Sequence, residues 1–189
     1  VRVMEATLAD RVTIGAPAPL RCSFAGGPLT VTRVTITADG SSGLRLETGD
    51  KTLHTTSPVT IAPVSGSPIL AVTVPGDVHR YRGTLTVSSQ EGVIVLLNAV
   101  PLEDYLLSVV PGELDTRRPA ALEAQAILCR TFALKNRRRH TGWDLCDLAD
   151  CQHYGGVDTG TASGTKAVRE WKKCSGGAIR YHALCCCTL

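Results

Sequence analysis

Glu113 stands in the run Val109-Val110-Pro111-Gly112-Glu113-Leu114, between an apolar helix-like segment and a second helical pattern. A carboxyl set against apolar surface has a raised pKa and stays protonated, which is what a general acid needs. The bland reading of the same residue is a solvated surface charge on a connection between helices. Spacing alone leaves both open. A second group lies downstream, where His140, Cys146, Asp150, Cys151 and His153 fall within fourteen residues. All are side chains that bind zinc when neutral or deprotonated. Four residues separate Cys146 from Cys151, so a turn can bring both sulfurs to one ion, with His140 arriving from the end of the preceding helix. The two cysteines can equally form a disulfide or stay as thiols.

Two helices must position these groups. After Pro101, Leu102, Tyr105, Leu106 and Val109 fall at i, i+3, i+4 and i+7, which is one helical face. Glu103 and Asp104 in its first turn suit the helix dipole; a catalytic role for the pair is the alternative. Pro111-Gly112 is expected to stop this helix and leave Glu113 on a short connection. A second helix is expected from Pro119 to about Asn136, with Leu122, Ala126, Cys129 and Ala133 on its buried face and Cys129 an inert core thiol. Residues 137–160 read as a long polar loop with Trp143 and Tyr154 as its large anchors. Beyond it, Ser163 is placed to cap a short helix over 164–173, and Gly176-Gly177 to turn the chain into a strand over 178–184.

The first half has another character. Runs at 1–4, 12–14, 29–36, 59–61, 69–74, 83–87 and 93–97 are rich in Val, Ile and Thr and are separated by Gly-, Pro-, Asp- and Ser-bearing turns. They predict antiparallel strands. The fold class expected is therefore α+β, an antiparallel β-rich scaffold part over 1–97 packed with a helical catalytic part over 98–189, the two making one unit.

Composition bounds the function. At 189 residues, 43% hydrophobic and 20% charged, the chain is globular and not disordered, and no apolar run approaches the roughly 18 to 20 residues of a membrane helix. A net charge of +3 gives no case for a nucleic-acid partner. The cluster Lys135, Arg137, Arg138 and Arg139 suits either the negative end of a helix or an anionic polymer. Eight unevenly placed cysteines do not make a regular disulfide scaffold. The opening on Val1 and the abrupt stop at Cys185 to Leu189 read as those of a piece of a longer protein.

Several motifs stand in order: Tyr81-Arg82-Gly83, Val100-Pro101-Leu102-Glu103-Asp104-Tyr105-Leu106, Val109 to Leu114, Ala121-Leu122-Glu123-Ala124-Gln125-Ala126, Arg130-Thr131-Phe132-Ala133-Leu134, Cys146-Asp147 and Cys151-Gln152-His153-Tyr154. Together they resemble the stage II sporulation protein D family, weakly over the first 80 residues and strongly from 98 to 156. The resemblance implies a lytic transglycosylase that cleaves the MurNAc-GlcNAc bonds of peptide-stripped peptidoglycan and leaves 1,6-anhydro-MurNAc ends. Glu113 then matches the catalytic glutamate, acting as acid and then as base. Tyr105, Gln125, Arg130 and Tyr154 are candidates to hold the sugar. A structural zinc held by His140, Cys146 and Cys151 is implied, with Asp150, itself an acceptable zinc ligand and a fourth candidate, standing where a histidine often precedes the second cysteine. The family's amidase enhancers supply the alternative of a non-catalytic glycan-binding partner of an N-acetylmuramoyl-L-alanine amidase. Either role implies the extracytoplasmic cell envelope, on the periplasmic or cell-wall side. The family usually continues through a Gly-rich segment near the point where Cys185 to Cys187 end this chain, which suggests a truncated C-terminal end.

Overall fold

The computed structural model describes residues 1–4 and 7–159. The helix expected after Ser163, the strand over 178–184 and Cys185 to Cys187 lie outside the described residues.

Ten strands come first: β1 (Arg2–Val3), β2 (Arg11–Phe24), β3 (Gly27–Asp39), β4 (Gly43–Thr48), β5 (Lys51–Thr55), β6 (Val59–Pro63), β7 (Leu70–Val74), β8 (Asp77–Tyr81), β9 (Thr84–Gln90) and β10 (Val93–Ala99). Helices α1 (Leu102–Glu113) and α2 (Pro119–Lys135) follow, then a 3-10 turn at Gly156–Thr159. With a strand-rich antiparallel sheet and two α-helices among the described residues, the class is α+β, as the residue pattern predicts.

All the strands pair antiparallel in one sheet of order β1-β10-β9-β6-β2-β3-β4-β5, and β7 pairs both β2 and β8. The long strand β2 is its hub. Its first half, Thr13 to Gly15, pairs β7, and its second half, Leu20 to Ser23, pairs β6. Between these halves lie Pro17 and Pro19, which have no N–H to give a ladder, and there the β2–β3 register shifts. Inward residues alternate as the pleat requires, and Ile14, Leu20, Cys22, Ile36, Leu46, Ile61, Leu70 and Leu85 are fully buried. Gly92 N–H reaches Ser41 O at 3.3 Å and Ile94 N–H reaches Ala9 O at 2.8 Å. The sheet therefore curls around its own core.

Pro101 precedes α1 as its N-cap residue and Pro119 is the first residue of α2, both places where no N–H is needed. The expected stop at Pro111-Gly112 does not occur. α1 runs to Glu113, with Pro111 inside it and buried, and Leu114 N–H donates to Val110 O at 3.2 Å. Proline removes one intrahelical donor, and in this last turn the remaining bonds carry the helix on. Glu113 is thus the final residue of a helix and not part of a free connection. No helix among the described residues is long and apolar enough to cross a membrane.

Candidate active site

α1 buries Tyr105, Leu106, Val109 and Val110 against the core and presents its C-terminal end outward. Glu113 is exposed there, and among the described residues the apolar wall anticipated around its carboxyl is not found. Its Oε1 accepts a hydrogen bond from the His153 main-chain N–H at 2.5 Å. A main-chain donor has one fixed direction, and a carboxylate bonded to it is held more tightly than one in water.

Buried polar bonds fix the residues on either side of His153. Tyr105 hydroxyl donates to Gln152 Oε1 at 3.0 Å, and Tyr154 hydroxyl donates to Asn98 Oδ1 at 2.7 Å. Asn98 in turn donates through Nδ2 to Arg82 O at 2.8 Å and Thr84 O at 3.2 Å. The Tyr105 and Tyr154 rings pack with centroids 5.0 Å apart. Burial pushes both phenols above their usual range; nearby Cys129, Cys151 and Glu113 add to the shift of Tyr105, and Asp104 adds to that of Tyr154. Both stay protonated and serve as donors.

α2 carries the remaining expected residues. Arg130 is buried and donates through Nη2 to both carboxylate oxygens of Glu103, at 2.8 and 2.9 Å. The first-turn carboxylate read as a dipole partner thus also ties α1 to α2. Gln125 is half-buried and donates to Cys129 Sγ at 3.4 Å. Burial raises the Cys129 thiol, opposed by its hydrogen bonds with Gln125 and Gln152, in keeping with an inert core thiol. Tyr105, Arg130 and Tyr154 therefore face inward in internal bonds. A cavity of about 420 Å³ lies where β10 leads into α1, lined by Asn98, Val100, Leu102, Tyr105, Arg137 and Asp144 among others. Glu113 does not line it.

The loop after α2 is strapped to the first strand. Arg2 N–H donates to Leu145 O at 2.8 Å, Met4 N–H donates to Asp147 Oδ2 at 2.5 Å, and the Arg2 guanidinium lies 4.8 Å from the centroid of the Trp143 ring. Trp143 stacks on His140 with centroids 5.7 Å apart. This arrangement brings His140, Cys146 and Cys151 together: one ligand atom from each lies within 4.8 Å of the others, and His140 Nε2 is 3.2 Å from Cys151 Sγ. One imidazole and two sulfurs are a donor set suited to zinc. Asp150 is exposed and outside the cluster, so of the four residues expected to bind metal, three converge. The basic run is spent locally in part, since Arg139 donates through Nη1 to Asn136 Oδ1 at 3.3 Å and lies over Phe132.

The His153 N–H leaves no mark in the sequence, being a main-chain donor; Asn98 shows only as a polar residue ending the apolar run 93–97, and Gln152 carries no comparable signal.

Residues 90–176 match the family described as Stage II sporulation protein (SpoIID). That segment holds Glu113, its polar support and the Cys/His cluster. No curated protein and no solved structure matches the chain.

Proposed function

We propose, from the match of residues 90–176 to the SpoIID family and the cell-wall-related role it suggests, that the chain is a peptidoglycan lytic transglycosylase acting on peptide-stripped glycan strands at the extracytoplasmic cell envelope. What supports this reading is Glu113, an exposed carboxylate at the end of an otherwise well-buried helix, held by a main-chain donor.

Protonated Glu113 donates its proton to the oxygen linking C1 of MurNAc to C4 of GlcNAc, and that C1–O bond breaks through an oxocarbenium-like transition state. The carboxylate then takes the proton of the same MurNAc's C6 hydroxyl while O6 bonds to C1. A 1,6-anhydro ring closes, and no water is consumed. Glycoside hydrolysis generally uses two carboxylates, so one residue working as acid and then base fits ring closure better.

In this reading Tyr105, Arg130 and Tyr154 brace the helix that carries Glu113, and half-buried Gln125 is the expected sugar-binding residue nearest to solvent. His140, Cys146 and Cys151 hold a zinc ion, which when bound supplies a cross-link between three points of the loop. Incubating peptide-free glycan with the protein and weighing the products tests the proposal. Anhydro ends that vanish in Glu113→Gln support it. Binding of glycan or of an amidase with no bond cleavage favours the enhancer role.

A further inference from the structure

We infer that the main-chain N–H of His153 is a positioning group for Glu113, holding Oε1 so that Oε2 is the oxygen that delivers and recovers the proton. The inference rests on Glu113 being the acid and base proposed above.

The geometry carries it in three ways. The donor lies within hydrogen-bond reach of Oε1, and an N–H bonded to a carboxylate makes a charge-assisted bond. Its flanking residues are both pinned: Gln152 and Tyr154 are buried, and they bond to Tyr105 of α1 and Asn98 of β10 respectively. An N–H between two such anchors cannot drift. Finally, Gly112 makes the approach possible, because a Cβ there would lie 2.9 Å from both His153 O and His153 Cδ2. The first of these is main chain and cannot swing aside. Glycine just before the glutamate thus has a steric reason, the last turn of α1 lying against residue 153.

The consequence is chemical. An oxygen already accepting an N–H is the poorer place for the acid proton, which therefore sits on Oε2. As Oε2 gives that proton to the glycosidic oxygen, negative charge develops on the carboxyl and the bond from His153 to Oε1 strengthens. A fixed donor aimed at developing charge is a transition-state interaction, and loss of one such donor typically lowers kcat by about 10² or more. The imidazole of His153 is exposed and takes no part in the bond.

The test uses the full chain on peptide-free glycan. His153→Pro deletes the N–H, and kcat is expected to fall about 100-fold with KM unchanged. His153→Ala, the conservative variant, restores the donor and with it kcat. Gly112→Ala is expected to lower kcat as His153→Pro does while the helix content stays native. In ¹⁵N-labelled protein the residue-153 amide proton is expected downfield, moving upfield in Glu113→Gln. Equal kcat in folded His153→Pro and His153→Ala, wild-type kcat in Gly112→Ala, or an amide signal indifferent to Glu113→Gln overturns the inference. Should His153→Pro not fold, Gly112→Ala and the amide signal decide. A wild-type protein that cleaves nothing defeats the proposed function, whereas cleavage that depends on Glu113 but not on the residue-153 N–H defeats only the positioning role.

Discussion

Glu103→Ala removes both acceptors that Arg130 Nη2 uses between α1 and α2, at 2.8 and 2.9 Å. The side chains differ in exposure, 6% for Arg130 and 30% for Glu103. Truncating one partner of a fully buried pair costs about 3–5 kcal/mol, because the remaining charge stays in the interior. Water reaching the Glu103 side reduces that, so we expect about 2–3 kcal/mol here. In a chain of this size the loss corresponds to a fall in Tm of roughly 4–12 °C. Urea unfolding followed by far-ultraviolet circular dichroism measures it, with the m-value unchanged. Glu103→Gln, which keeps one acceptor, should lose less. A loss below about 0.5 kcal/mol for Glu103→Ala, the level of an ordinary surface substitution, would refute the claim that this pair braces the two helices.

Other outcomes follow from the same geometry. Burial raises the Cys22 thiol from its ordinary value near 9 to about 11. The unfolded chain therefore releases this proton before the folded one does, and the stability from burying the neutral thiol is complete below pH 9 and lost as pH rises through 11. The loss is on the order of 2–3 kcal/mol, and Cys22→Ala should remove that part of the slope in unfolding curves between pH 8 and 11. Metal analysis of purified protein should find zinc retained in Asp150→Ala and lost in Cys151→Ser, since only Cys151 of the two lies in the cluster; equal loss in both would place Asp150 among the ligands. Gly83 has φ 85° and a Cβ there would run into Ala99 O, so Gly83→Ala should cost about 2 kcal/mol or more, read as a lower urea midpoint.

The residue pattern disclosed the elements whose burial is repetitive. Helix starts at Pro101 and Pro119, and strands such as Val93 to Ala99, declare themselves by apolar period and punctuation. β5 and β8 do not: they are half-exposed, polar strands at the margins of the sheet, and only their backbones are held there. β4 alternates Leu44 and Leu46 with Arg45 and Glu47, a pattern too short and too poor in β-branched residues to stand out. The extent of β2 was hidden by Pro17 and Pro19, which break the ladder without ending the strand. Pro111 misled in the opposite direction, since a proline at the end of α1 is compatible with one more turn held from Val110. At the site, the convergence of His140, Cys146 and Cys151 was legible because ligand types mark themselves. The inward use of Arg130, Tyr105 and Tyr154 was not, since their partners lie 27, 47 and 56 residues away. The motif Tyr81-Arg82-Gly83 acquires a physical sense only in three dimensions: Tyr81 is core, Arg82 offers its carbonyl to Asn98, and Gly83 lets β10 pass.

Mass spectrometry of peptide-free glycan after incubation with the wild-type protein and with Glu113→Gln bears most directly on the central claim. Ring closure predicts wild-type products whose new ends are lighter by one water than hydrolysed ends, and no new ends from Glu113→Gln. Ends carrying the added water, or anhydro ends formed equally by Glu113→Gln, would contradict the assignment of Glu113 as acid and base.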